Sequence, residues 1–204
     1  MINELINRYP KLKESEKSIE ESLKLLIKCF ESGGRLYLCG NGGSSSDADH
    51  IVGELMKGFK KKRPLSKSEM NKFSDDDREL AKGLMRGLPA ISLHSQSALL
   101  TAFLNDADPQ LVYAQTLYSL GREGDVLLAV STSGNSKNVV NCAKTAKALG
   151  MRIISLTGKD ECALDKISDV TVHVPEKETY LVQELHLPVY HYLCAEIEDY
   201  FFEI

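Results

Sequence analysis

The stretch Asp125-Val-Leu-Leu-Ala-Val-Ser-Thr-Ser-Gly-Asn-Ser136 runs from an apolar segment into small hydroxyl residues, and Lys137 to Leu149 then has helical spacing. A strand that ends this way and turns into a helix gathers backbone N–H groups, hydroxyls and a helix N-terminus around one point, which suits a phosphate. Gly134 permits the tight turn, and the serines donate hydrogen bonds without adding negative charge. The same residues are also ordinary turn and N-cap chemistry, so this loop alone leaves both readings open. A second segment shifts the balance. Leu36 to Cys39 is another short apolar run, and it ends in Gly40-Asn-Gly-Gly-Ser-Ser-Ser46, with a helix expected from Asp47. An open parallel sheet collects such turns at the carboxyl ends of its strands, where one ligand can touch both.

Working outward, further strands are expected at Ala90–Leu93, Val126–Ser131, Ile153–Thr157 and Val170–Val174, with helical stretches between most of them. This alternation predicts a parallel sheet covered on both faces. Residues 2 to 30 space Leu5, Ile6, Tyr9, Leu12, Ile19, Leu23, Leu26 and Ile27 among charges, as one long helix or two. The last helix is expected from about Tyr180 toward Phe202, interrupted or kinked at Pro188, which has no N–H to donate. Between Phe59 and Ala90 stand a basic run at 60 to 64 and an acidic run, Ser74-Asp-Asp-Asp-Arg78. The expectation there is a solvated insertion.

The 204 residues, 43% hydrophobic, suit one domain with a sizeable core. A net charge of −4 argues against a nucleic-acid partner, whose footprint is basic. No apolar run approaches a membrane span and the N-terminus lacks an uninterrupted apolar core, so a cytoplasmic protein is expected. The five cysteines are scattered, without the close pairs of zinc ribbons or redox motifs, and read as buried small hydrophobes.

Chemistry-bearing residues fall on two helices. His50 and Glu54 are spaced i, i+4 on the helix leaving the first glycine-rich loop, so one face presents both. Alone, the pair reads as a surface contact. After a ligand loop, an imidazole and a carboxylate could bind zinc or move protons. Gln183, Glu184, His186 and His191 cluster on the terminal helix. Gln183 and His191 lie about 12 Å apart along a straight helix, so one small site takes both only through a kink at Pro188 or with neighbouring subunits contributing.

Cys39-Gly-Asn-Gly-Gly-Ser-Ser-Ser-Asp-Ala-Asp-His50, Thr101-Ala-Phe-Leu-Asn-Asp106, Ser131-Thr-Ser-Gly-Asn-Ser136, Leu156-Thr-Gly158 and Val182-Gln-Glu-Leu-His186 through His191 resemble, in order, the phosphoheptose isomerases of the sugar isomerase (SIS) fold. The resemblance implies a flavodoxin-like three-layer αβα sandwich with a central parallel sheet of about five strands. One SIS domain over 1–204 would carry an N-terminal helical segment at 1–31 and an insertion at about 60–87. It implies a homotetramer that converts D-sedoheptulose 7-phosphate to D-glycero-D-manno-heptose 7-phosphate, the first step of nucleotide-activated heptose biosynthesis. Matching positions imply substrate contacts at Asn41, Gly42, Gly43, Glu54, Asn105, Asp106, Ser131, Thr132, Ser133, Ser136 and Gln183. They imply one zinc ion per subunit on His50, Glu54, Gln183 and His191, with Glu54 and His191 as the proton-transfer pair. The chain departs from the family at the insertion, at Ser95-Gln-Ser97, at Leu181 where an arginine is usual, and at Pro188. Two other readings belong to the same fold: a non-catalytic relative acting as a regulator through protein partners, and a phosphosugar-sensing domain. Glu54 and His191 count against the first, and the lack of room for an N-terminal DNA-binding unit against the second.

Overall fold

In a computed structural model, which describes residues 2–202, five strands form one all-parallel sheet in the order β2-β1-β3-β4-β5. They are β1 (Leu36–Cys39), β2 (Ala90–Ser92), β3 (Val126–Val130), β4 (Arg152–Thr157) and β5 (Val170–His173). Leu36 pairs with Ala90 on one side and Val126 on the other. The inner strands β1 and β3 are apolar and buried throughout because both faces are covered. Leu36, Leu38, Leu128, Val130, Ile154 and Leu156 face one layer, and Tyr37, Cys39, Leu127, Ala129 and Ile153 the other.

The first layer holds α1 (Ile2–Arg8), α2 (Glu16–Glu31), α3 (Gly43–Met56) and α9 (Thr179–Phe201); the second holds α7 (Val112–Leu120) and α8 (Lys137–Ala148), with α6 (Ser97–Asp106) beside them. The N-terminal segment is two helices joined by a 3₁₀ turn at Pro10–Ser15, the second of the two forms expected for it. All five cysteines are free and buried. The strand order is the flavodoxin-like one, whose switch point lies between β1 and β3. Both glycine and serine loops leave the sheet there.

Three features differ from the sequence expectations. Helix α3 begins at Gly43, four residues before Asp47, because Gly42 at φ +56° turns the chain directly into the helix. Helix α9 runs uninterrupted through Pro188. Val182, Val189, Leu193 and Ile197 are buried along it, and that packing outweighs the one missing bond to Glu184, a residue on the exposed side.

The third is the insertion, whose α4 (Lys67–Met70) and α5 (Arg78–Gly83) are short and largely exposed, but whose basic run is anchored in the interior. Arg63 and Glu198 have fully buried side chains, with Arg63 Nε donating to Glu198 Oε1 at 2.7 Å. Glu198 also accepts from the backbone N–H groups of Phe59, Lys60 and Lys61. Arg63 donates to the carbonyls of Leu55 and Glu54 and stacks over the Phe202 ring at 4.4 Å.

Candidate active site

Two helices, α3 and α9, build the site by running side by side in the same direction. Gly43 meets Gln183, His50 meets Tyr190, and Phe59, just past α3, meets Glu198. Those sequence offsets are 140, 140 and 139 residues, so the register holds along the pair. Gly43 lacks a side chain where one would collide: a Cβ there would stand 2.5 Å from Gln183 Nε2.

At the loop end, Asn41 and Asn138 exchange two hydrogen bonds of 2.9 Å, Nδ2 to Oδ1 in each direction. Tyr113 Oη donates to Gly40 O at 2.7 Å, with Asn41 Oδ1 at 3.1 Å. These contacts tie the two loops together. In the serine loop, Ser131 Oγ donates to Ser136 Oγ at 3.1 Å, and Ser133 Oγ accepts from Asn135 N. Ser131 is buried, Thr132 and Ser136 are half-buried and Ser133 is exposed. Gly134 sits at φ +61°, and a Cβ there would fall on the Cys162 thiol. Neither α3 nor α8 has a side chain bonded at its N-cap. The N–H groups of Ser44, Ser45 and Ser46 at the start of α3 are taken by the carbonyls of Asn41 and Gly42, so the N-terminus of α8 is the better placed of the two for an anion.

Farther along, His50 Nε2 lies 3.2 Å from Glu54 Oε1 and 3.5 Å from His191 Nε2. The two rings meet edge to face with centroids 4.9 Å apart. Lys57 Nζ is 3.5 Å from Glu54 Oε2, and the Phe59 ring packs 5.6 Å from that of His191. Burial, with the neighbouring His50, holds His191 below the usual imidazole range, against the opposing pull of Glu54. This group borders a cleft of about 260 Å³ lined by Arg8, Tyr9, Phe59, Lys60, Pro188 and His191. A larger cleft of about 600 Å³ lies at the amino ends of β3 and β4, where none of these residues is found. Chemistry and not size selects the smaller one.

The structure thus brings His50, Glu54 and His191 together and places Asn41, Gly42, Gly43, Ser131, Thr132, Ser133 and Ser136 at the two loops. Gln183 stands at the loop end of α9, two turns from His191. Asn105 and Asp106 are exposed at the end of α6, where Asn105 Nδ2 donates to Asp106 Oδ1. His186 faces the core, with Nε2 3.3 Å from Thr157 O. Asn138, Tyr113, Lys57 and Tyr190 were not among the expected site residues. Asn138 sits two residues past the serine loop, and Tyr190 beside His191. Neighbourhood in sequence was their one signal.

The donor set bears in part on the implied zinc. Neighbouring ligands on a tetrahedral zinc with bonds of about 2.0–2.1 Å stand about 3.3–3.4 Å apart, close to the two separations around His50. Gln183, however, is held against Gly43. Among the described residues of one chain, no three His, Cys, Asp or Glu side chains are arranged to hold a metal ion. The four implied ligands do not close around one point within a single chain.

A parallel sheet in this order, with phosphate-suited loops at its switch point, defines the class, and the chain belongs to the SIS domain family, whose model matches residues 2–82 and 80–158. Within that class the similarity narrows. The chain is 39% identical over 194 residues to a protein named phosphoheptose isomerase from Helicobacter pylori strain P12, a match spanning 93% of this chain and 90% of the relative. It is 35% identical over 192 residues to one of the same name from Thermodesulfovibrio yellowstonii, spanning 94% and 85%. The solved structure of a phosphoheptose isomerase from Francisella tularensis superposes with a TM-score of 0.77 at 30% identity, covering 97% of this chain and 96% of that one.

Proposed function

We propose that this chain is an aldose–ketose isomerase that converts D-sedoheptulose 7-phosphate to D-glycero-D-manno-heptose 7-phosphate for heptose biosynthesis, working in the cytoplasm. The observation that carries the reading is the Glu54, His50 and His191 group, a carboxylate and two imidazoles within 3.2 and 3.5 Å of one another. That group shares α3 with an anion-suited loop. The named relatives support the same reading.

In this mechanism the serine loop and the α8 N-terminus hold the phosphate, and the binding energy fixes the reacting end. Glu54 removes a proton from the carbon beside the carbonyl and returns it to the neighbouring carbon, through an enediol-like intermediate. His191, neutral near pH 7 because its pKa is lowered, exchanges protons with the sugar oxygens. Lys57 stands 3.5 Å from the second oxygen of Glu54. A zinc ion, where bound, would supply Lewis-acid polarisation of the carbonyl; its implied ligands His50, Glu54, Gln183 and His191 would have to be drawn from more than one subunit, since within one chain they do not surround a common point.

A homotetramer belongs to this proposal. From Gly43 to Glu54, α3 advances about 16 Å along its axis, more than one extended seven-carbon chain covers. A phosphate held at the Gly43 end of α3 and the Glu54 of the same chain are thus farther apart than one sugar reaches, which supports a site completed by a neighbour. Helix α6 has no buried residue although Leu99 and Leu104 stand on it, 38% and 45% exposed, which suits a surface covered in an assembly. A regulatory role without catalysis is disfavoured by the intact Glu54 and His191.

The test is turnover of purified protein on a panel of keto- and aldo-sugar phosphates, with Glu54→Gln as control. The seven-carbon phosphate should be isomerised, and the nearly isosteric variant should lose about 10²–10⁴-fold in rate. Turnover by Glu54→Gln within a few-fold of wild type would remove Glu54 as the base.

A further inference from the structure

His50 has a second nitrogen, and it points into the protein. Its Nδ1 lies 3.0 Å from Tyr190 Oη, and Tyr190 Oη lies 3.2 Å from Asp47 Oδ1. Tyr190 is 1% exposed, and its ring meets that of His50 edge to face. The three residues form a chain of hydrogen bonds leading away from Glu54 and His191, and none of them is spent on the core packing alone.

The direction of that chain follows from counting protons. An ionised carboxylate only accepts, so the single phenolic proton of Tyr190 goes to Asp47. The phenol oxygen then has only lone pairs left for His50, and Nδ1 must carry a hydrogen to bond it. A neutral imidazole has one N–H. Counted from an ionised Glu54, 3.2 Å away, the hydrogen would instead sit on Nε2; but Glu54 has Lys57 as a second donor, whereas Asp47 has Tyr190 on one oxygen and a buried, unpartnered second oxygen, so the Asp47 side prevails and Nε2 is left as the bare lone pair. That is the form required of a group that takes a proton or holds an electrophile, and it is the wrong form for one that merely donates to Glu54.

We propose that Tyr190, itself held by Asp47, is a positioning residue that fixes His50 in its Nδ1–H form and presents Nε2 as an acceptor to the Glu54 and His191 group. Histidines that act through one nitrogen are commonly oriented and fixed in tautomer by a carboxylate or carbonyl on the other. Here a tyrosine stands between the imidazole and the carboxylate. The inference deepens the isomerase reading for its kinetic part, but its structural part stands without any substrate.

The first experiment is therefore made on unliganded protein. Nitrogen-15 NMR of the histidine side chains, at a pH above the ordinary imidazole range, should show His50 as the Nδ1–H tautomer in the wild type. In Tyr190→Phe, which removes one oxygen and keeps the ring, the Nε2–H tautomer should appear. A wild-type His50 in the Nε2–H form, or a tautomer unchanged by Tyr190→Phe, overturns the proposal. The second experiment is kinetic. Tyr190→Phe should lower kcat by about 10–100-fold, the usual cost of losing the partner behind an acting histidine, with KM for the sugar phosphate nearly unchanged. Asp47→Asn, which keeps the size of the side chain, covers the case in which Tyr190→Phe does not fold, and should shift the tautomer in the same direction. A locked tautomer in a protein that isomerises no sugar phosphate would sink the isomerase reading alone. An unlocked tautomer in an active enzyme would sink this proposal alone.

Discussion

Replacing Glu198 by glutamine tests the anchor that holds the insertion against the site. The carboxylate takes four hydrogen bonds: Phe59 N and Arg63 Nε on Oε1 at 2.9 and 2.7 Å, and Lys60 N and Lys61 N on Oε2 at 2.7 and 3.1 Å. Glutamine keeps one acceptor oxygen and turns an NH₂ group toward donors. It also leaves the buried Arg63 guanidinium without its counter-charge. Removing one partner of a buried pair costs about 3–5 kcal/mol, which in a chain of this size lowers Tm by about 6–20 °C. Arg63→Met should cost less, because the carboxylate keeps its three backbone donors. The pH dependence gives a second reading. Burial raises the Glu198 pKa, but the backbone N–H groups and Arg63 outweigh it and hold the carboxyl below its ordinary value. With the folded value below the unfolded one, this stabilisation is complete above the ordinary carboxylate range and is lost as pH falls through the folded value. The gap between wild type and Glu198→Gln in urea denaturation should therefore narrow in acid. A variant melting within about 2 °C of wild type, or a gap independent of acid pH, would refute the argument.

Ser131→Ala and Ser133→Ala should each weaken binding of a phosphorylated sugar by about 1.5–3 kcal/mol, a hydrogen bond to a charged acceptor; unchanged affinity in calorimetry would move the phosphate elsewhere. Mixing inactive Glu54→Gln with inactive Ser131→Ala/Ser133→Ala subunits should restore activity if a neighbour's Glu54 serves each serine loop, whereas hetero-oligomers that form and stay inactive would place both in one chain. His186 is fully buried, and burial lowers its pKa to about 4. Because the folded value lies below the unfolded one, wild-type stability should decline as pH falls from about 6.5 toward 4, and His186→Gln should flatten that slope; an equal slope in both would rule the assignment out.

The centre of the sheet was legible because β1 and β3 are buried on both faces and appear as unbroken apolar runs, while the edge strand β5, Val-Thr-Val-His with one buried residue, was marked by its valines. All five fall where those runs predict, within a residue at the ends. The two strand-to-helix turns were legible because Gly40-Asn-Gly-Gly43 and Ser131-Thr-Ser-Gly134 each follow an apolar run, though either alone reads equally as turn and N-cap chemistry. The α3 start was misplaced because Gly43-Ser-Ser-Ser46 are weak helix formers, and only the turn at Gly42 and the contact with Gln183 show that they begin the helix. Arg63 was hidden among lysines that do point outward: its partner lies 135 residues away, and no local pattern separates a buried arginine from a solvated one. Tyr190 was hidden in the same way, since an aromatic residue on an apolar helix face reads as core, and only the position of its hydroxyl gives it another part.

The register of α3 against α9 links these points. With a constant offset of about 140 residues, every contact between the helices is fixed once one is known. Gln183 stands at the loop end because it lies against Gly43, and His191 stands at the Glu54 end because its neighbour Tyr190 lies against His50. A kink at Pro188 would have broken that register, and the helix shows no interruption there. One pair of helices therefore carries two groups of candidate residues about two turns apart, the separation that the proposed sharing of sites between subunits would bridge. The insertion fits the same arrangement. It leaves α3 one residue after Met56, and Glu198, on the α9 turn next to Leu193 and Ile197, fastens its first residues. Phe59 and Lys57 are thereby held against His191 and Glu54, at the end of the helix pair away from the glycine loop.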